Sequence, residues 1–168
     1  MDINSYFNLL SDKFNEAFYL ASKAKEKGFD PKKEVEIKPA PDLASRVEGI
    51  IGIEGLAEII RRNYGKDKTE TAFKVVKEVC ENKFFDTYDT IKRIELATRI
   101  GLAIITDGVV VAPTEGIQGV ARYKNQDNTD YIAVIYAGPI RGAGGTATAL
   151  SVAFADYARR FFNIGAYK

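Results

Sequence analysis

The sequence predicts an α+β fold: amphipathic helices first, then a small antiparallel hairpin, then a last helix that starts after a glycine-rich turn. Three observations carry this. Apolar residues recur every three to four positions over residues 2–27, 69–81, 89–105 and again from Ala147 onward, which is the spacing of one helix face. After Ile105 the texture changes to β-branched and aromatic runs, Val109–Val111, Ile117–Lys124 and Tyr131–Tyr136, separated by turn formers. Gly142, Gly144 and Gly145 then crowd between the last β-like run and the last helix-like run. There is no internal repeat and no low-complexity segment.

The first helix is expected over Asp2 to Lys27, with Ile3, Phe7, Leu10, Phe14, Ala17 or Phe18, and Ala21 on one face. Lys23, Lys25 and Lys27 suit its C-terminal dipole, Gly28 stops it and Pro31 lies beyond. Its aromatic face (Phe7, Leu10, Phe14, Phe18) needs a cover. The cover is either the core of the same chain or a second subunit, so these residues are the candidate interface. Residues 1–30 are therefore expected to form a separate helical element, and residues 31–168 an α+β domain. Lys32 to Pro41 is charged and bounded by prolines, as in a linker or irregular strand. Asp42 is a good N-cap for a short helix that turns Leu43, Val47 and Ile50 inward.

Gly52-Ile53-Glu54-Gly55 places a G-x-x-G turn between two helical patterns. The next helix, Thr69 to Glu81, aligns Phe73, Val76 and Cys80, which reads Cys80 as a buried structural thiol. Residues 89–105 put Ile91, Ile94, Thr98, Leu102 and Ile105 on one face, and Ala97, Ile100 and Ile104 widen it, so core should surround the C-terminal half. Asp107-Gly108 reads as a turn, Val109–Val111 as a short buried strand ended by Pro113, and Ile117–Lys124 with Tyr131–Tyr136 as a hairpin over Asn125–Asn128. In the last helix Leu150, Phe154, Tyr157 or Ala158, and Phe161 share a face. Thr146 is its N-cap candidate, and Arg159 and Arg160 suit its far end.

The 168 residues suffice for one domain with room for an appendage, by the rough guide of about 150 residues per domain. With 46% hydrophobic residues the chain can build a core. The net charge of +1 rules out a strongly basic clamp, so any polyanion must be met by a local patch. The absence of histidine removes imidazole triads and His-bearing zinc sites, and a single cysteine removes disulfide frameworks and cysteine metal sites. The amphipathic N-terminus is not a signal peptide, and no apolar run approaches the roughly 20 residues needed to cross a bilayer. An intracellular, soluble chain without membrane contact is expected.

Two turns are candidates for binding an anion. At the second, Gly142, Gly144 and Gly145 let a backbone or phosphate approach, and the N–H groups of the following helix would point at it. The spacing Gly142-x-Gly144-x-x-Ala147 also satisfies a dinucleotide fingerprint. However, Pro139 interrupts the approach, and no second parallel strand or ribose-binding acid follows. A P-loop would need a lysine after the glycines. A turn needing small residues only for close helix packing remains open. At the first, Gly52 and Gly55 match the loop by which KH domains approach a nucleic-acid backbone, and fit a helix-hairpin-helix less well. Arg61, Arg62, Lys66 and Lys68 lie just downstream. Glu54 inside the turn repels phosphate, so a plain helix–helix corner competes. Nucleotidyl transfer needs paired carboxylates for a metal pair. No Asp-x-Asp occurs, and Asp86 with Asp89, and Asp127 with Asp130, read as caps or solvated acids. No catalytic residue and no metal ligand is assigned.

The wording of the glycine-rich stretch is more specific than its spacing. Tyr136-Ala-Gly-Pro-Ile-Arg-Gly-Ala-Gly-Gly-Thr-Ala-Thr-Ala-Leu-Ser-Val152 resembles the signature near the N-terminus of the large subunit of archaeal family-D DNA polymerases. Asp42-Leu-Ala-Ser-Arg-Val-Glu48, Ile50-Ile-Gly-Ile-Glu-Gly55 and Thr106-Asp-Gly-Val-Val-Val-Ala-Pro-Thr-Glu-Gly116 resemble the same family in the same order. Gly142 and Thr148 are small-residue departures from the usual wording. The resemblance implies a fragment of a much longer chain whose parent enzyme synthesises DNA on a template, with Mg2+ held by carboxylates of double-psi β-barrels far downstream. It implies as partners a small subunit carrying the proofreading exonuclease, the remainder of the large subunit, primer-template DNA and, through that remainder, the sliding clamp. The implied location is the cytoplasm, in a nucleoid-associated archaeal replisome. This segment itself is then expected to be structural and DNA-guiding, with Gly52, Gly55, Arg61, Arg62, Arg141, Gly142, Gly144, Gly145 and Thr146 toward nucleic acid. The other expectation is an interaction module that docks the small subunit or self-associates through its first helix.

Overall fold

The computed structural model describes residues 2–29, 40–107, 115–138 and 145–168. Residues 32–39 of the predicted Lys32–Pro41 linker, the Val109–Val111 strand with Pro113, and Arg141, Gly142 and Gly144 lie outside them. The chain divides into two compact units, Met1–Lys38 and Pro39–Lys168.

The described residues of the first unit form one helix, α1 (Ile3–Glu26). Asp2 caps it, its Oδ1 accepting from the Asn4 and Ser5 amides at 2.9 and 3.1 Å, and the Ser5 hydroxyl, followed by the Ser5 amide, keeps the Asp2 carboxyl below the usual range. Past its end the amides of Gly28 and Phe29 return to Lys25 and Ala24 oxygens at 3.0 and 3.1 Å, with Gly28 at φ +86°, a left-handed stop. None of its residues is buried.

The second unit is a helical layer closed by a hairpin: α2 (Leu43–Ile51), α3 (Leu56–Arg62), α4 (Lys68–Glu81), a 3-10 turn (Lys83–Phe85), α5 (Thr90–Ile105), β1 (Ile117–Lys124), β2 (Asp130–Tyr136) and α6 (Gly145–Phe161). This is the α+β order expected. Aspartates start three of the helices by accepting an amide three residues ahead or closer: Asp42 for α2, Asp67 for α4 and Asp89 for α5. In α2 the buried positions are Ala44 and Val47, while Leu43 and Ile50 are only half-buried, so the inward face is rotated from the one expected.

α5 is the central element. Ile100 through Ile104 are all buried, as the widened apolar face required. A β-carbon on Gly101 would come within 2.9 Å of Val76 and 3.0 Å of the Phe154 ring, so a bare backbone lets α4 and α6 approach α5 here. Phe73, expected on the inner face, is half-buried and meets Phe154 and Tyr157 at ring distances of 4.9 and 5.3 Å. Cys80 is buried, and burial pushes its thiol up to about 12.

The 3-10 turn after α4 was not apparent from periodicity. Asn82 accepts from the Phe84 amide at 2.9 Å, which sends Phe85 into the core and leaves Phe84 about half exposed. Arg93, itself buried, donates from Nε to the Val79 carbonyl at 2.7 Å, from Nη2 to the Asn82 carbonyl at 2.6 Å and from Nη1 to Asp86 at 2.7 Å. The orphan carbonyls at the end of α4 are thus satisfied from α5.

The hairpin pairs Val120 with Val134, Ala121 with Ala133, Arg122 with Ile132 and Tyr123 with Tyr131, with an irregularity between Ile117 and Gly119. Val120, Ile132 and Val134 face the core. Glu95 of α5, nearly buried, accepts from the Val120 amide at 3.3 Å, and Arg99 donates to the Ile117 carbonyl at 2.6 Å, so β1 is pinned to α5 by side chains as well as by apolar contact.

Candidate nucleic-acid interface

The G-x-x-G corner is built as its glycines demand. Gly52 ends α2 at φ +76° and Gly55 precedes α3 at φ +87°; both are left-handed, which L side chains adopt only at a cost. The start of α3 already has an acceptor: the Ala57 amide donates to Glu48 Oε2 at 2.8 Å. Glu48 was not singled out from the sequence, although an acid four residues before the first glycine is placed to reach back to that helix.

The two arginines of the corner are also engaged. Arg61 grips Asp42 from Nε at 2.8 Å and from Nη2 at 3.1 Å, and reaches Ser45 Oγ at 2.6 Å. Arg62 pairs with Glu78, which also accepts from Asn63 and, at 3.0 Å, from Asn82. These donors outweigh partial burial and hold the Glu78 carboxyl below its usual range. The Glu54 side chain is exposed in the turn. Geometry and charge therefore favour a helix–helix corner over a phosphate cradle at Gly52 and Gly55.

The Arg61 grip sets a pH dependence. Hydrogen bonds from Arg61, then from the Ser45 amide and hydroxyl, hold the Asp42 carboxyl well below its ordinary value of 3.8. A depressed folded-state value means the contribution is complete above 3.8 and is lost as pH falls through the folded value. The substitution Arg61→Ala is expected to move the Asp42 titration up toward 3.8 and the onset of acid unfolding to higher pH, checked by carboxyl-carbon NMR titration. An unmoved Asp42 titration would show that the cap, and not the arginine, sets it.

At the glycine-rich turn, Gly145 and Thr146 are described and both are exposed. The helix begins at Gly145, so Thr146 stands inside the first turn of α6 and not ahead of it as the expected N-cap. The start of α6 is instead tied to the hairpin: Tyr136 Oη lies 2.7 Å from Ser151 Oγ and donates to the Thr148 carbonyl at 3.3 Å. At the far end Arg159 and Arg160 both pair with Asp156.

The acidic pairs serve structure. Asp89 caps α5 and Asp86 takes Arg93. Asp127 accepts from Thr129 and Lys168, and Asp130 from Arg122 and Lys124, both being held below the usual range by these donors. Among the described residues no group of three or more His, Cys, Asp or Glu could hold a metal ion, and no helix is long and apolar enough to cross a membrane. On α1, Phe7 and Leu10 are exposed, while Phe14 and Phe18 are half-buried with rings 4.8 Å apart. Ile3 of the same stripe is exposed, and Tyr6, Leu9, Tyr19 and Leu20 are exposed as well, so apolar surface extends beyond the predicted stripe.

Comparison with known proteins decides the family. The family model described as "DNA polymerase II large subunit DP2, N-terminal" matches residues 5–168. The chain belongs to this family. Proteins named DNA polymerase II large subunit are 48% identical over 164 residues in Haloarcula marismortui, covering 97% of this chain and 12% of that protein. The relative in Methanococcoides burtonii is 43% identical over 168 residues, 99% of this chain and 15% of that protein. That in Pyrococcus horikoshii is 44% identical over 172 residues, 99% of this chain and 12% of that protein. The chain thus spans 12% to 15% of the length of these relatives.

Proposed function

We propose that this chain is the N-terminal structural and DNA-guiding part of the large subunit of an archaeal replicative DNA polymerase, with the catalytic centre elsewhere. The family match over residues 5–168 carries this reading. The parent enzyme would extend a primer from deoxynucleoside triphosphates with Mg2+ bound outside this segment, in a cytoplasmic replisome. Its partners would be the proofreading small subunit, the rest of the large subunit, primer-template DNA and the sliding clamp. The two units divided near Lys38 and Pro39 fit a helical element followed by an α+β domain. The engaged state of Arg61 and Arg62 shifts the weight of DNA guiding from Gly52 and Gly55 to the turn carrying Arg141, Gly142, Gly144, Gly145 and Thr146.

The test is a salt series of fluorescence anisotropy with the whole enzyme and a labelled primer-template. Arg141→Ala is expected to weaken binding at all sequences and to reduce the log–log salt slope by about 1. Arg61→Ala should change it far less, because Asp42 already neutralises that guanidinium. If both variants bind as the parent does at low and at high salt, the DNA-guiding half is wrong and the structural half stands alone.

A second reading is favoured by α1, none of whose residues is buried and which exposes Phe7 and Leu10. The helix would dock the small subunit or self-associate. A large subunit lacking residues 1–27 that assembles normally removes this reading.

A further inference from the structure

We infer that the outer face of the β1–β2 hairpin is seated against the part of the large subunit that follows residue 168; this rests on the reading of the chain as part of a longer large subunit. Strand alternation puts Val120, Ile132 and Val134 against the core, so Ala121, Tyr123, Tyr131, Ala133 and Ile135 belong to the opposite face. A hairpin with one face on a core normally carries polar residues on the other. Here the outer face has no charged residue. Ile135 is 36% exposed and Tyr123 47% exposed. Ile135 stands opposite Gly119, which offers no side chain to cover it. The charges of the hairpin, Arg122, Lys124 and Asp130, fall on the register of the inner face and pair with one another beside the turn. Such an uncharged face of small and aromatic residues has the composition of a covered interface.

The path of the chain indicates the occupant. After α6, Ile164 is buried, and a β-carbon on Gly165 would lie 2.9 Å from the Asp130 carbonyl, so the tail presses on the start of β2. Asn125 in the hairpin turn donates to the Ala166 carbonyl at 2.8 Å and accepts from the Lys168 amide at 3.0 Å. The Tyr167 ring meets Tyr131 at 5.1 Å, and Tyr131 meets Tyr123 at 5.8 Å. Lys168 is therefore held at the hairpin tip, beside the bare face, and the relatives are several times longer than this chain, which covers 12% to 15% of them. DNA fits the face less well: Arg122 and Lys124 share Asp130, and Lys168 is held by Asp127, which cancels most attraction for phosphate.

The experiment places the photoreactive residue p-benzoylphenylalanine at position 135 of the full-length large subunit. The subunit is irradiated alone, with the small subunit, and with primer-template, and the cross-linked peptides are mapped by mass spectrometry. Cross-links from the large subunit alone to residues beyond 168 are expected. Cross-links instead to the small subunit, to DNA, or to residues 2–168 overturn the inference. Hydroxyl-radical footprinting of the unmodified large subunit gives an independent reading. Tyr123 and Tyr167 are 47% and 75% exposed in this segment, against 48% and 38% for Tyr64 and Tyr88. Per unit of that exposure they should oxidise about fivefold or more slowly than Tyr64 and Tyr88, because a covered face excludes water. Equal normalised rates together with no cross-link overturn it. An intact mass of the native polypeptide near 18.6 kDa would instead sink the underlying reading and the inference with it.

Discussion

Phe154→Ala is expected to cost about 3–5 kcal/mol of folding stability, the range for truncating a fully buried aromatic. Phe154 is 0% exposed. Its ring lies 4.9 Å from that of Phe73 on α4 and against the bare backbone of Gly101 on α5, so it fills the space where three helices meet. The surrounding groups cannot close the gap easily. Val76 is itself fully buried, and Gly101 has no side chain to move. For a chain of this size each kcal/mol corresponds to roughly 2–4 °C in melting temperature, so thermal unfolding followed by circular dichroism should show a fall of about 10 °C. A shift of a degree or two would mean that α4, α5 and α6 do not share one packed centre.

Arg93→Met is expected to cost about 2–4 kcal/mol although it keeps most of the apolar stem of the side chain. What it removes is the set of donors. The Val79 and Asn82 carbonyls at the end of α4 would lose their partners inside a region closed by the 3-10 turn, and buried acceptors without donors are costly. Asp86 contributes less, because its carboxylate is 59% exposed and water replaces the guanidinium there. The check is urea unfolding of Arg93→Met against Arg93→Lys, where lysine restores a charge but not the fork that serves both carbonyls at once. If methionine is as stable as arginine, the carbonyls have found water and the clasp is ornamental. Amide exchange localised to residues 79–85 would show whether α4 frays first.

The helices were legible because each carries its own instructions. Asp42 stands before apolar residues at helical spacing and caps as expected, Asp89, which read as a cap or a solvated acid, caps α5, and Gly52 and Gly55 occupy left-handed positions that few other residues tolerate. The hairpin was legible from its alternation and from Asn125–Asn128, where Asn128 takes φ +61°. The 3-10 turn was not, since Lys83–Phe85 is too short to show a period, and it holds through Arg93, which comes from another helix. The candidate site was legible as a set of glycines and arginines but not as a balance of charge. Arg61 and Arg62 follow a G-x-x-G turn in sequence just as phosphate-binding cations would. Their partners, Asp42 and Glu78, are 19 and 16 residues away in the chain.

Order along the chain, the α+β class, the caps and the family wording of the glycine-rich stretch are local properties, because propensity, periodicity and turn chemistry act over a few neighbouring residues. Which acid neutralises which arginine, which side of the hairpin is left bare, and how close α5 comes to α4 and α6 at Gly101 depend on groups that meet only after the chain has folded back. Pairing and packing are properties of distance in space, and only the tertiary structure sets those distances.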